Sequence, residues 1–160
     1  MPTDPIRPTD DEARALARDL LAGAQFAALG VLTAEGLPMV TRVAIATAPD
    51  GRPLSLVSDL SAHAVALKAN PAASLLVGEP GPRGDPLTHP RLTLQCRASF
   101  FRHGDPGHEA LAAHYLAQRP KAKLYAGFAD FFHVVFRIEA GLMNGGFGRA
   151  FRLTEPDILP

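Results

Sequence analysis

The order of apolar and polar positions divides this chain into short strand-like runs separated by three helix-like stretches. Thr9-Asp10-Asp11-Glu12 has the form of a capping box. Ala13, Leu16, Ala17, Leu20 and Leu21 follow it at helical spacing, and Gly23 closes the helix. Residues 26–32 form an apolar run of strand length. Thr33-Ala34-Glu35-Gly36 turns into a second run, residues 37–47, and Pro49-Asp50-Gly51 turns into a third, residues 52–57. These three runs predict an antiparallel meander.

A short helix is expected over residues 62–70, stopped by Pro71, and a buried strand over 73–77. Glycines and prolines crowd residues 79–86, which predicts a loop. Residues 91–102 alternate, with Leu92, Leu94 and Cys96 set against Arg91, Thr93, Gln95 and Arg97; the pattern is that of a half-exposed strand. Asp105 or Gly107 starts a helix that runs to Gln118, and residues 120–125 make a short helical turn. Residues 131–138 predict a strand. Residues 142–153 predict a last one, interrupted by Gly145-Gly146 and Gly148. Six or seven strands, three helices and no regular β-α-β alternation point to an antiparallel barrel with helices around it. No repeat or linker divides the chain, so a single domain, 1–160, is expected.

Composition narrows the function. The chain has 160 residues, 47% hydrophobic and 20% charged, which suits a globular domain with a real core. Sixteen basic residues balance sixteen acidic ones, so bulk attraction to nucleic acid or an anionic membrane is not expected. Cys96 is the single cysteine, which excludes an intramolecular disulfide and a Cys-rich zinc site; within a strand it serves packing. Residues 1–11 are polar and proline-rich and lack a signal-peptide pattern, and no apolar run approaches the roughly 18 residues of a membrane span. A cytoplasmic protein is the expectation.

The candidate chemistry centres on Val57-Ser58-Asp59-Leu60-Ser61-Ala62-His63, where a strand runs into hydroxyls, a histidine and a helix start. A helix start offers unpaired N–H groups and a positive dipole end, which suit a phosphate. The plainer alternative is an ordinary helix cap on Asp59 or Ser61. Arg42 and Arg91 lie in strand-like segments that a barrel can bring beside this turn, and arginine forks suit phosphate or a carbonyl-rich ring.

The six histidines, His63, His89, His103, His108, His114 and His133, form no ligand pair with an acid between, so a preformed metal site is not expected. One of them as a heme ligand stays open. Gly145-Gly146-Phe147-Gly148-Arg149 lacks the dinucleotide-binding spacing; its glycines suit a bulge or close approach by a ligand or a partner subunit. Nothing has the form of a nucleophile elbow or a glycosidase carboxylate pair.

Taken in order, Ser58-Asp59-Leu60-Ser61-Ala62-His63 with Leu67 and Asn70-Pro71, Asp85-Pro86-Leu87, Pro90-Arg91-Leu92-Thr93-Leu94, Tyr125-Ala126-Gly127-Phe128-Ala129-Asp130-Phe131 and Gly145-Gly146-Phe147-Gly148-Arg149-Ala150 carry a resemblance. The chain resembles the FMN-binding split-barrel proteins related to pyridoxamine 5′-phosphate oxidase, and among them the heme-utilisation branch. The resemblance implies a mainly β fold with flanking α, a split antiparallel β-barrel of the FMN-binding type. It also implies a homodimer with FMN at its interface and redox chemistry of the oxidoreductase kind. The cofactor-binding residues it implies are Arg42, Val43, Ser58, Ala62, His63, Arg91 and Arg149, with no catalytic side chain and no metal ligand. Heme is the alternative cofactor, and a regulatory barrel without cofactor the alternative role.

The chain departs from the family pattern in places. Ala46 or Thr47 stands where the oxidases carry a lysine, and His63-Ala64 where they carry a basic pair. The heme ligand on the C-terminal extension of the heme-degrading relatives has no counterpart before Pro160. The aromatic residues Tyr125, Phe128, Phe131, Phe132 and Phe147 are expected to form part of the dimer interface.

Overall fold

The computed structural model describes residues 4–160. Its strands join in one nine-stranded mixed sheet, curled into a split barrel whose end strands do not pair with each other. The elements in chain order are β1 (Ile6–Arg7), α1 (Asp11–Ala22), β2 (Phe26–Leu32), β3 (Pro38–Ala44), β4 (Ala46–Thr47), β5 (Pro53–Ser58), α2 (Ala62–Ala69), β6 (Ala72–Val77), β7 (Arg91–Phe101), α3 (His108–Gln118), β8 (Phe131–Asn144), β9 (Ala150–Leu153) and α4 (Glu155–Ile158). Short 3-10 turns at Pro86–Thr88 and Pro120–Leu124 complete the chain. The order along the sheet is β1-β9-β8-β7-β6-β2-β3, while β5 pairs with β4 on one side and β8 on the other.

Period-two alternation places the core. Leu92, Leu94, Cys96 and Ala98 of β7 face inward with Phe132, Val134, Phe136 and Ile138 of β8. Burial raises the Cys96 thiol to about 12, so it stays protonated and acts as a small apolar side chain. The opposite face of β8 carries Phe131, His133 and Val135 beneath α3. There a second cluster forms with Ala46, Leu54, Leu56, Leu111, Tyr115 and Ala122. No helix among the described residues is long and apolar enough to cross a membrane.

The structure revises several expectations. The first helix is capped by Asp10, whose carboxylate accepts from Ala13 N at 2.8 Å, and not by a Thr9 box; the Thr9 hydroxyl instead donates to Arg152 O. The run over residues 37–47 breaks at Ile45, whose N–H turns back to Gln25 O. That bend hands the chain from β3 to β4, so β5 joins β8 and the three-strand meander does not form. Residues 142–153 are not one strand: β8 continues to Asn144, and the glycines reverse the chain so that β9 pairs back on it, Gly141 opposite Leu153. Gly146 and Gly148, with φ of 126° and 70°, make that reversal in backbone closed to most side chains. Of the aromatic residues expected at an interface, Phe132 lies in the core. Tyr125 and Phe131 pack on the second cluster, and only Phe128 and Phe147 are exposed.

Candidate cofactor site

The helix start reads out as the plainer alternative and leaves something over. Ser61 is the N-cap of α2: its hydroxyl accepts from Ala64 N at 3.3 Å and donates to Ser58 O at 2.7 Å. Ser58 donates its hydroxyl to the Asp130 carboxylate at 2.6 Å and accepts from Leu60 N at 3.1 Å. Both hydroxyls are therefore committed within the turn. The amides of Ala62 and His63 have no acceptor among the described residues, and they stand at the positive end of the helix.

Asp59 settles the local charge. Arg102 grips it with two bonds of 2.8 Å, and Lys68 adds one of 2.7 Å. These two cations, Arg102 first, hold its carboxyl well below the usual range. The same Arg102 lies over the Phe132 ring at 4.3 Å. Both cations near the turn are thus already engaged by a single carboxylate, and the three groups keep one net positive charge.

His63 is half-buried, and its Nδ1 pairs with the Thr41 hydroxyl at 3.1 Å. Burial lowers its pKa, which favours the neutral ring. In the tautomer whose Nδ1 accepts from Thr41, Nε2 carries the proton and is a donor. Thr41 and Arg42 are neighbours on β3 and point to opposite faces. Arg42 is exposed and rests over the Phe26 ring at 5.2 Å. Because β3 pairs only with β2, its second edge is open, with the Thr41–His63 pair on one side and the Arg42–Phe26 pair on the other.

Val43 turns its side chain into the core, so only its backbone is on offer at this edge. Ala62 is exposed and contributes its amide. Arg91 is not beside the turn. It starts β7 on the outer sheet face, and its guanidinium donates to Leu87 O at 3.0 Å. It shares that outer face with Arg42, because the register runs Arg42–Ala28–Leu76–Thr93 and Arg91 is two residues from Thr93. Gly78 closes the gap next to Arg91: with φ of 98°, a Cβ there would meet Arg91 Cα at 2.8 Å. Arg149 lies apart, beside β9, and donates to Glu12 at 3.1 Å across a shallow depression lined by Arg7, Thr9 and Phe151. Thr47, where a lysine was sought, is bonded to Gln118 of α3.

The residues fit a flavin phosphate through two free amides and one neutral donor, and fit a planar ring beside Phe26 and Arg42. Among the described residues, the cations beside the α2 turn are Arg102 and Lys68, both already bonded to Asp59. Sequence reasoning missed Thr41, Phe26 and Asp130 as members of the site. Thr41 and Phe26 were legible only through register, while Asp130 lies in the Tyr125–Phe131 segment, where nothing local marks it as a partner of Ser58.

The comparisons with known proteins agree with this architecture. The family model described as pyridoxamine 5′-phosphate oxidase matches residues 13–143. The structure of a heme binding protein from Mycobacterium smegmatis is similar at 31% identity, with a TM-score of 0.82, over 96% of this chain and 61% of that one. The protein Atu2129, of unknown function, from Agrobacterium tumefaciens is similar at 33% identity, with a TM-score of 0.81, over 99% of this chain and 66% of that one. This chain therefore spans less than two thirds of both. Another solved chain is 45% identical, with a TM-score of 0.85, and the two cover 96% and 99% of each other. No curated protein matches the sequence. The fold, the matched residues and these identities place the chain in the pyridoxamine 5′-phosphate oxidase family.

Proposed function

We propose that this chain is an FMN-binding flavoprotein of the oxidoreductase type, active as a homodimer with the flavin at the subunit interface. The observation that carries the reading is the open edge of β3, flanked by the α2 amides and His63 on one side and by Arg42 on Phe26 on the other. Ala62 N, His63 N and His63 Nε2 hold the phosphate, and Arg42 lies against the ring. Ser58 holds the turn through Asp130. When bound, the flavin supplies the redox chemistry, and the protein binds and orients it.

A second copy has a place to sit. Val40 (69% exposed), Leu76 and Leu142 (44% each) and Phe26 (39%) share the outer face of the sheet with Arg42 and Arg91. Covering that face would bury apolar surface and enclose the ring. Arg91 then faces the flavin from the sheet rather than from the turn, and Arg149 takes no part.

Heme is the second reading, favoured by the likeness to the Mycobacterium smegmatis heme binding protein. The absorbance spectrum of purified protein, before and after adding FMN or hemin, separates them. Visible flavin bands that travel with a dimer on gel filtration are the expected result. A Soret band with hemin and no retained flavin moves the assignment to heme, and neither signal overturns both. A monomer by sedimentation at micromolar concentration with FMN present removes the interfacial site.

A further inference from the structure

The second apolar cluster contains a group of side chains that the cofactor site does not use. His103, His108 and His133 form a run of tilted rings, with centroids 4.4 Å apart between the first two and 5.4 Å between the last two. Tyr115 closes the run against His133 at 5.4 Å. His133 is 1% exposed and Tyr115 is fully buried, and His133 Nδ1 and the Tyr115 hydroxyl have no hydrogen-bond partner. Rings stacked this way do not converge on a point, and no group among the described residues is spaced to hold a metal ion. The ligand that this stack can take is a proton.

The helix above the stack is fastened unequally. At its C-terminal end, Gln118 accepts from Thr47 N at 3.0 Å and donates to Thr47 O at 2.8 Å. Arg119 donates to Ile45 O at 2.9 Å and Ala24 O at 2.8 Å. At its N-terminal end the cap is Gly107, with φ of 85° and no side-chain cap bond. That end rests on the imidazoles. Beside it lies a cavity of about 420 Å³ lined by Ala48, Phe101, Gly107, Leu111, Val135 and Arg137.

We propose that α3 is a proton-released lid: neutral His108 and His133 hold its N-terminal end on the barrel, and protonating them swings that end away about the Gln118–Thr47 anchor, opening the apolar cavity beside Leu111. The groups around the stack support the direction. His133 faces Phe101 of β7, Leu56 of β5, Tyr115 and His108 of α3, and His103 of the preceding turn. None of these is an acid. Burial, then His108 and His103, lower His133 to about 4. His108 also meets Asp105 and Glu109, which favour its charged form, but burial and His103 outweigh them and its pKa is lowered too. A histidine whose folded pKa is depressed keeps its full contribution above about pH 6.5 and loses it as pH falls toward the folded value. With His133 near 4 when closed and about 6.5 when released, the opening constant rises about thirtyfold between pH 8 and pH 5.

Hydrogen exchange of the full chain, corrected for intrinsic rates, tests it. Between pH 8 and pH 5 the amides of residues 111–114 should lose protection about thirtyfold, while those of β6 and β7 stay constant. His133→Phe should hold α3 protection level across that range; His133→Leu, which also cannot take a proton, serves if the first variant does not fold. Constant α3 protection in the wild type overturns the proposal. So does a loss shared by the whole sheet, or a pH dependence that survives in the folded variant.

Discussion

The turn before α2 and the stack beneath α3 lie two residues apart along one ladder, Ser58 opposite Phe131 and Leu56 opposite His133, and they treat polar groups in opposite ways. In the turn each hydroxyl has both a donor and an acceptor role filled: Ser58 with Asp130 and Leu60, Ser61 with Ser58 and Ala64. Under α3, two polar atoms are buried without a partner. An unpaired buried group costs roughly 1–3 kcal/mol, so the second region stores a cost that the first avoids. The difference assigns work. A satisfied turn is rigid and presents backbone amides to a ligand in fixed positions. An unsatisfied stack sits near a threshold where a small chemical change, such as a proton, shifts its balance.

The largest test acts on the stack. Tyr115 is fully buried and fills the space between α3 and His133. Tyr115→Ala should cost about 3–5 kcal/mol in urea unfolding, through lost burial and the cavity left behind. FMN affinity, measured on the folded fraction, should change by less than about twofold if the regions are separate. A large affinity loss with little loss of stability would erase the comparison.

The next acts on the turn. His63→Ala should weaken FMN by about ten- to a hundredfold, or roughly 1.5–3 kcal/mol, and should leave riboflavin nearly unchanged. Without ligand, burial lowers the His63 pKa; a bound phosphate dianion raises it. Binding therefore takes up a proton, and the wild-type advantage grows as pH falls toward 6. Equal weakening of both ligands in titrations would remove His63 from the phosphate site.

What the sequence made legible follows from how local each feature is. β2 appeared at its observed bounds as an apolar run and β7 within a residue by period-two alternation, because both signals are written in adjacent side chains. The Ser61 cap was one of two choices, settled by a bond three residues away. The break at Ile45 was hidden because it depends on Gln25, and the β8–β9 hairpin because a glycine pair suits a bulge and a reversal equally well. β1 and α4 were missed since their partners, β9 and the Arg14 and Arg52 side chains, are far along the chain. The histidine stack was invisible for the same reason: no spacing among His103, His108 and His133 announces a contact that β7, β8 and α3 create together. For the site, Arg42 and His63 were found by residue type, but that they flank one strand edge is a fact of register.

Ser58 gives a smaller effect that sharpens the contrast. Its hydroxyl bridges Asp130 and Leu60 and does not reach the ligand, so Ser58→Ala should cost about 1–2 kcal/mol of stability, with FMN and riboflavin affinities of the folded protein each changed by less than about twofold. A loss confined to FMN would mean that the hydroxyl leaves Asp130 for the phosphate, and the turn would not be rigid.

The smallest effect is the most direct probe of the stack. Tyr115→Phe keeps the ring that Tyr115→Ala removes and takes away only the hydroxyl. Burial holds that phenol up at about 12, so it is neutral at any pH where the protein is studied, and its ionisation plays no part. If the hydroxyl is buried and unpaired, its removal relieves a desolvation cost and loses no bond. Stability should stay level or rise by up to about 1 kcal/mol, less than the full 1–3 kcal/mol because the missing oxygen also gives up packing contacts and leaves a small void. A loss of more than about 1 kcal/mol in the same urea titration would show that the hydroxyl has a partner in solution. The region under α3 would then be as well satisfied as the turn, and a proton would have no stored cost to release.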